Sequence, residues 1–109
     1  MAYSEDLANK VRQKLGRRGG LTEKKMFGGL AFLINGNMSV GVLGEELIVR
    51  VDPTQADAAL KEPGARPFDM TGRPMKGWVM VGGAGIKDEP ALAKWTGRGV
   101  AYASSLPKK

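Results

Sequence analysis

The sequence predicts an α+β fold, with a mostly antiparallel sheet of about five strands and helices packed on that sheet. Between residues 22 and 51, short apolar segments alternate with turns that contain glycine or asparagine, as in strands joined by hairpins. Near both ends of the chain, apolar residues recur at helical spacing. The predicted order is α-β-β-β-β-α-β-α, and 109 residues suit a single domain that spans residues 1–109.

Composition restricts the chemistry that this chain can perform. It contains neither cysteine nor histidine, so the commonest metal ligands and the commonest general base are missing. Its carboxylates are not spaced in pairs on one face, and no serine or lysine has an identifiable base. We therefore expect no catalytic residue, no metal site and no cofactor, and a protein that is not an enzyme.

The hydrophobicity of the chain bears on its localisation. No apolar run approaches the roughly 20 residues that span a bilayer. Residues 1–6 have neither the basic nor the apolar region of a signal peptide. We therefore expect a cytoplasmic protein with no membrane partner.

The first helix is predicted over residues 4–17. Ser4 is a favourable N-cap, because its side chain can accept a hydrogen bond from the first helical turn. Leu7, Val11 and Leu15 recur every four residues, so one face of the helix should be buried. Gly16 supplies a stop signal at the end of this pattern.

Positive charge is concentrated near the amino terminus. The net charge is +6, and between residues 10 and 25 the only acidic residue is Glu23. Such a surface attracts polyanions, either nucleic acid or an acidic protein face, although it can also serve solubility alone. The segment has no interleaved aromatic residues and no helix-turn-helix pattern, which argues against sequence-specific DNA reading. The candidate surface comprises Lys10, Lys14, Arg17, Arg18, Lys24 and Lys25.

Two strands are predicted before residue 35. Residues 22–27 have mixed faces, which suit an edge of the sheet. Gly28 and Gly29 then form a tight turn or a bulge. Leu30–Ile34 has no polar face, so we expect this strand at the centre of the sheet with both sides covered.

A hairpin and a further strand follow the apolar run. The Asn-Gly pair at Asn35 is typical of a two-residue hairpin turn. Met38, Val40 and Val42 alternate with small residues, so we expect these three side chains on one buried face. Residues 47–51 repeat the alternation, which predicts an antiparallel meander of three strands.

Arg50 is the polar member of an otherwise apolar strand. We expect its stem to extend across the sheet and its guanidinium to pair with a carboxylate such as Asp52 or Asp69. Asp52 is also a suitable cap for a short helix that has Pro53 at its first position and ends near residue 61.

The segment from residue 62 to residue 76 is rich in proline and glycine and is predicted to be irregular. Long irregular segments inside a compact domain are often functional. Basic residues interleaved with apolar and aromatic ones suit recognition of nucleic acid or of a protein. Alternatively, the aromatic residues belong to the core and the arginines are only solvated. The cluster comprises Arg66, Arg73 and Lys76 with Phe68, Met70 and Trp78.

The last strand is predicted at residues 78–81, and Asp88 caps the last helix. Apolar residues from Leu92 onward fall on one face, which should dock this helix on the sheet. Gly97 and Gly99 lie within the helix and either permit a close approach to the sheet or end the helix there.

Several short motifs occur together and carry a family resemblance. They are Met26-Phe27-Gly28-Gly29, Gly36 in the hairpin, Arg50 within Leu47–Asp52, Gly64 within Pro63–Phe68, Trp95, and Ala101-Tyr102-Ala103. Each is weak alone, but over residues 10–106 the combination resembles the N-terminal domain of the TfoX/Sxy family. We expect these residues to serve the fold, although the paired glycines could instead leave backbone N–H groups free for a ligand or a partner strand.

The resemblance implies a fold similar to that of type III secretion chaperones and a role in the regulation of bacterial competence genes. Named members of the family act together with the cyclic-AMP receptor protein at promoters. Two-domain members continue into a C-terminal domain where this chain ends at Lys109, so the competence activity itself need not carry over.

The sequence leaves three functional hypotheses open. The first is a small regulatory or adaptor protein, monomeric or homodimeric, that acts through protein contacts near DNA. The second is a nucleic-acid-binding protein of weak specificity. The third is a small-molecule sensor or an enzyme.

Overall fold

The computed structural model describes residues 3–16, 19–26, 28–68 and 77–107. Within these residues, three α-helices accompany an antiparallel sheet of six strands, which confirms the predicted α+β class. The helices are α1 (Glu5–Leu15), α2 (Ala56–Leu60) and α3 (Glu89–Ser105). The strands are β1 (Leu21–Met26), β2 (Gly29–Ile34), β3 (Asn37–Leu43), β4 (Glu46–Arg50), β5 (Ala65–Pro67) and β6 (Trp78–Val81). Their spatial order is β1-β2-β3-β4-β6-β5.

The sheet has one strand more than the sequence predicted. β5 lies inside the segment that was expected to be irregular and pairs with β6, where Ala65 is opposite Val81. This strand has three residues and ends at Pro67, so it is too short to show an alternating pattern. Proline is tolerated there because β5 is the edge strand. The remainder of the irregular segment, residues 69–76, lies outside the described residues.

The other edge of the sheet is β1, as predicted. Gly28 has φ +78° and allows the short turn that brings Met26 opposite Gly29. β2 is buried on both faces, as expected, but it is the second strand from the edge rather than the central one. The predicted hairpin turn at Asn35 is present, with φ +52° at Asn35 and +84° at Gly36.

β3 contains a bulge that changes the faces of its side chains. Phe32 is paired with Val40, but Leu33 is paired with Met38, so Ser39 is an extra residue in β3. The Ser39 hydroxyl donates a hydrogen bond to the carbonyl oxygen of Phe32 at 2.9 Å. The prediction that Met38 and Val40 share a face is therefore wrong, because they belong to different apolar clusters. Alternation in the sequence does not reveal an inserted residue.

The caps predicted for the helices are confirmed. The side chains of Ser4, Asp52 and Asp88 each accept a backbone N–H hydrogen bond, at 3.2, 2.9 and 2.9 Å. Asp52 begins a 3₁₀ turn at Pro53–Gln55 that leads into α2. No helix in the described part of the chain is long and apolar enough to cross a membrane.

α3 continues without a break through both of its glycines. Gly99 packs so closely on β3 that a Cβ atom there would overlap the carbonyl oxygen of Ser39. After α3, the side-chain amide of the buried Asn37 donates a hydrogen bond to the carbonyl oxygen of Pro107 at 2.9 Å. These contacts hold α3 and Pro107 against β3.

Apolar side chains are buried on both faces of the sheet. The helices cover one face, where Phe32 and Val40 belong to the same apolar cluster as Val11 of α1 and Trp95 of α3. The other face carries a smaller cluster that includes Ile48 and Met80. The remaining buried members of this second cluster are Ala31, Met38 and Phe68.

Candidate functional site

The lysines that the sequence singles out on α1 have carboxylate partners in the same chain. Lys10 lies 3.4 Å from Asp6, one helical turn earlier, and both side chains are exposed. Lys14 pairs with Glu89 at the start of α3. These contacts offset much of the positive charge that α1 would otherwise present to a polyanion.

Arg12 also has a partner, which connects α1 to β1. Its Nε and Nη2 atoms donate hydrogen bonds to the two carboxylate oxygens of Glu23 at 2.9 and 2.8 Å. These bonds hold the pKa of the Glu23 carboxyl below its ordinary value and raise the pKa of Arg12. Glu23, the only acidic residue between residues 10 and 25, thus binds Arg12 of α1. Arg17 and Arg18, which belong to the predicted surface, lie outside the described residues.

Lys24 and Lys25 are different, because both are exposed on β1 and neither has an ion-pair partner in the described part of the chain. Successive residues of a strand point to opposite faces, so the two side chains lie on opposite sides of the sheet. Met26, next to them, is 40% exposed and is the most exposed large apolar residue among those described. The structure therefore combines unpaired positive charge, an exposed apolar side chain and a strand edge in one place.

The predicted cluster after residue 62 is not exposed as a whole. Phe68 is 5% exposed and packs against Trp78, with ring centroids 6.2 Å apart, so Phe68 belongs to the core. Arg66 donates two hydrogen bonds to the carboxylate of Glu46, at 3.0 and 2.5 Å. Its other predicted members, Met70, Arg73 and Lys76, lie outside the described residues.

Contrary to the prediction, Arg50 does not pair with Asp52. Its guanidinium carbon lies 5.3 Å from the ring centroid of Trp78 and 5.5 Å from that of Tyr102, which places the cation against two aromatic rings. Asp52 accepts hydrogen bonds from the backbone N–H and the hydroxyl of Thr54 instead, and these lower its pKa. The other expected partner, Asp69, lies outside the described residues.

The remaining motif residues support the backbone. Gly64 has φ +78°, and a Cβ atom there would overlap the carbonyl oxygen of Gly82. Trp95 is 2% exposed and lies in the core, with the Arg98 guanidinium 4.6 Å from its ring centroid. Phe27 of the same motif set lies outside the described residues.

A groove between α2 and α3 is a feature that the sequence did not indicate. Its volume is about 410 Å³, and apolar atoms of Val51, Ala59 and Ala101 form part of its lining. Glu62 and Arg98 form a hydrogen-bonded ion pair in its wall.

Glu62 also accepts a hydrogen bond from Lys94 at 2.5 Å, so one carboxylate joins two cations of α3. Burial alone would raise the pKa of Glu62, but the bonds from Lys94 and Arg98 outweigh it and hold the pKa below its ordinary value. Glu62 is more than thirty positions from either cation in the sequence, so no local pattern could have shown the network.

Carboxylates do not assemble into a metal site in the described ranges, where no group of three or more Asp and Glu side chains is placed to hold an ion. The described cations thus fall into two classes. Those of α1, α3 and β5 bind carboxylates of the same chain, whereas no described carboxylate pairs with Lys24 or Lys25 on β1, with the exposed Lys61 and Lys87, or with Arg50, which lies against aromatic rings. Lys24 and Lys25 differ from the other unpaired lysines because they are adjacent on an edge strand.

Comparison with known proteins identifies the family. No curated protein and no solved structure matches the chain. The family model described as the TfoX N-terminal domain matches residues 13–103, which include every strand, α2 and most of α3. At the level of the family, this match supports a competence-related regulatory or adaptor role. The chain therefore belongs to the TfoX N-terminal domain family.

Proposed function

We propose that this protein is a small cytoplasmic regulatory adaptor that acts by binding another protein near DNA, and not by catalysis. Membership of the TfoX N-terminal domain family supports the regulatory part of the proposal. The observation that carries the protein-binding part is the exposed edge strand β1, whose Lys24 and Lys25 have no carboxylate partner among the described residues. Exposed strand edges are common sites for the binding of one protein by another.

Direct nucleic-acid binding of weak specificity is the second candidate, since the net charge of the chain is +6. Such binding requires several cations that reach phosphates from one surface. Lys10 and Lys14 are engaged with carboxylates, and the side chains of Lys24 and Lys25 point to opposite faces of the sheet. These placements favour a protein partner over a duplex.

A titration of labelled duplex DNA at about 50 and 200 mM salt distinguishes the two candidates, because several phosphate contacts would make the affinity fall by orders of magnitude over this range. For the adaptor, we expect weak binding at the lower salt and none at the higher. The double variant Lys10→Glu/Lys14→Glu serves as a charge control. Tight binding at the lower salt that this variant abolishes would establish the nucleic-acid candidate instead.

The regulatory role is tested in the cells that carry the gene. We expect deletion of the gene to change a defined group of transcripts, and reintroduction to restore them. Chromatin immunoprecipitation should then find the protein at the promoters of that group, although the purified protein does not bind the same duplexes. This combination distinguishes recruitment by another protein from direct DNA binding. A transcript profile that deletion leaves unchanged would contradict the proposal.

A further inference from the structure

The outer edge of β1 exposes backbone groups that no strand in the described ranges pairs with. β1 is the first strand in the sheet order and pairs only with β2. The Asn35 N–H donates a hydrogen bond to the Gly20 carbonyl oxygen at 2.9 Å, and the Gly20–Asn35 pair continues the register of the β1–β2 pairs. Gly20 therefore turns its backbone groups toward β2, and so do the even-numbered residues of β1. By alternation, the N–H and C=O groups of Leu21, Glu23 and Lys25 point away from the sheet.

The opposite edge is much less suitable for an additional strand. β5 forms that edge, has three residues and ends at Pro67, which has no N–H to donate. β1 has six residues and no proline, and its residues are exposed from Thr22 to Met26. A strand that joins this sheet would therefore add to β1.

The side chains of β1 indicate the chemistry of such a strand. Lys24 and Lys25 are exposed on opposite faces, and neither is paired with a carboxylate of the described chain. Opposite charges on neighbouring strands stabilise their pairing. The edge therefore favours an extended segment with acidic side chains on both of its faces.

A second copy of this chain fits the edge less well. In antiparallel pairing, residues whose backbone groups point outward lie opposite one another. The two registers that pair most of β1 with β1 of a copy place either Glu23 opposite Glu23 or Lys24 opposite Lys24. The second register also places Glu23 opposite Lys25, but both Glu23 carboxylate oxygens already accept hydrogen bonds from Arg12. Like charges directly opposite one another destabilise a pair of strands, and lysine on an edge strand is a common means of preventing self-association.

We propose that β1 binds an extended acidic segment of a partner protein, which adds to the sheet as a further strand beside Leu21–Met26. The backbone groups of β1 supply the hydrogen bonds, and Lys24 and Lys25 select for acidic residues. This inference specifies the contact of the adaptor role and rests on it. The tests use the purified chain alone, so the binding mode and the regulatory role can fail separately.

The probe is a fluorescein-labelled seven-residue peptide in which pairs of glutamates alternate with single valines. We expect saturable binding to the full chain by fluorescence anisotropy at low salt. The same peptide with all of its amides N-methylated keeps its charge but cannot donate backbone hydrogen bonds. We expect it to bind at least tenfold more weakly. Equal binding of the two peptides, or no binding of the first, would overturn the proposal.

Two substitutions at one position separate backbone pairing from charge. Lys25→Pro removes an outward-pointing N–H and should leave the β1–β2 pairing intact, whereas Lys25→Ala removes the same charge and keeps the N–H. We expect the proline variant to bind the peptide at least tenfold more weakly than the alanine variant. Lys24→Pro removes an N–H that faces β2, so it should lower the unfolding midpoint much more than Lys25→Pro does. Equal peptide affinity of Lys25→Pro and Lys25→Ala would refute strand addition.

Amide hydrogen exchange tests the same geometry without any substitution. In the free protein, the amides of Leu21, Glu23 and Lys25 should exchange fast, and those of Thr22 and Lys24 slowly. A saturating concentration of peptide should slow the exchange of the Leu21, Glu23 and Lys25 amides. Unchanged exchange rates of these amides would place the binding site elsewhere.

Sedimentation of the protein without peptide tests whether a second copy occupies the edge. A dimer that Lys25→Pro dissociates would identify a second copy as the occupant of the edge and would overturn the acidic partner.

Discussion

Gly99 determines how closely α3 approaches the sheet. A Cβ atom at this position would overlap the carbonyl oxygen of Ser39 and a methyl group of Val40. Gly97, two residues earlier, is exposed, and a Cβ there would meet nothing within 4 Å. Both glycines weaken a helix relative to alanine, but only Gly99 is required by packing.

Replacing each of these glycines by alanine should therefore have opposite effects. We expect Gly97→Ala to stabilise the protein by about 0.5–1 kcal/mol, because alanine favours the helix. Gly99→Ala should destabilise it by about 1–3 kcal/mol, because the methyl group pushes α3 away from β3. Urea denaturation measures both free energies of unfolding. A stabilising Gly99→Ala would mean that α3 can move away from β3 without cost.

The contacts of Arg50 can be measured by a double-mutant cycle. Arg50→Leu and Tyr102→Leu, made singly and together, should give a coupling free energy of about 0.5–1 kcal/mol, as expected for a cation beside a ring that is only partly buried. With Tyr102→Phe the aromatic ring remains, so most of the coupling should remain too. Thermal or urea unfolding supplies the values. A coupling near zero would show that the guanidinium gains nothing from the ring.

Individual residues differ in how far their roles can be predicted. The caps Ser4, Asp52 and Asp88 were predicted correctly, because a cap interacts with residues two or three positions away. Asp52 was predicted as one partner of Arg50, whereas Asp52 binds Thr54, and Arg50 contacts Trp78 and Tyr102, which lie on other elements. Contacts between neighbouring residues can be predicted from the sequence. Contacts between residues far apart in the sequence depend on the packing of the whole fold.

At the scale of elements, Glu62 connects the end of α2 to α3. Its carboxylate accepts hydrogen bonds from Lys94 and Arg98, and its side chain is 22% exposed. These bonds hold the pKa of Glu62 below the ordinary value of 4.5 in the folded protein, against the opposing effect of burial. A carboxyl with a lowered folded-state pKa stabilises the fold at higher pH, and this contribution is lost as pH falls through that pKa.

Glu62→Gln should therefore destabilise the protein in a pH-dependent way. At pH 7 we expect a loss of about 1 kcal/mol, since a partly buried carboxylate loses two cationic partners. The difference from the unaltered protein should shrink as pH falls below 4.5 and vanish below the folded-state pKa of Glu62. Urea denaturation at several pH values measures it. The exposed Glu45, which has no ion-pair partner in the described ranges, is replaced by glutamine as the control. An equal effect of both variants would contradict the role of the Glu62 network.

Elements with a strong local pattern were predicted, and those without one were not. β2 and the Asn35 turn were found because an apolar run and an Asn-Gly pair are specific signals. β5 was missed because three residues that end in Pro67 have no periodicity, and strand formation there depends on β6. The bulge at Ser39 was missed for a related reason, since its only signature is a change of register between two strands.

For the molecule as a whole, the α+β class followed from the order of elements, but the distribution of charge did not. Lys10, Lys14 and Lys24 belong to one basic segment of the sequence, yet only Lys24 among them is without a carboxylate partner in the described ranges. Glu89, the partner of Lys14, comes from the other end of the chain. Among the described lysines of this basic segment, the fold thus leaves the two on the edge strand β1 without a carboxylate partner.

The hydrogen bond from Asn37 to Pro107 also has a practical consequence. Asn37 and Leu21 lie on either side of Ile34 in neighbouring strands, roughly 10 Å apart, so Pro107, which Asn37 holds, is close to the start of β1. The chain contains no cysteine, so Pro107→Cys would introduce a unique thiol and keep the backbone carbonyl that Asn37 holds. The fluorescence of a dye coupled to that thiol would detect the binding of a molecule at the edge strand, and the molecule itself would need no label.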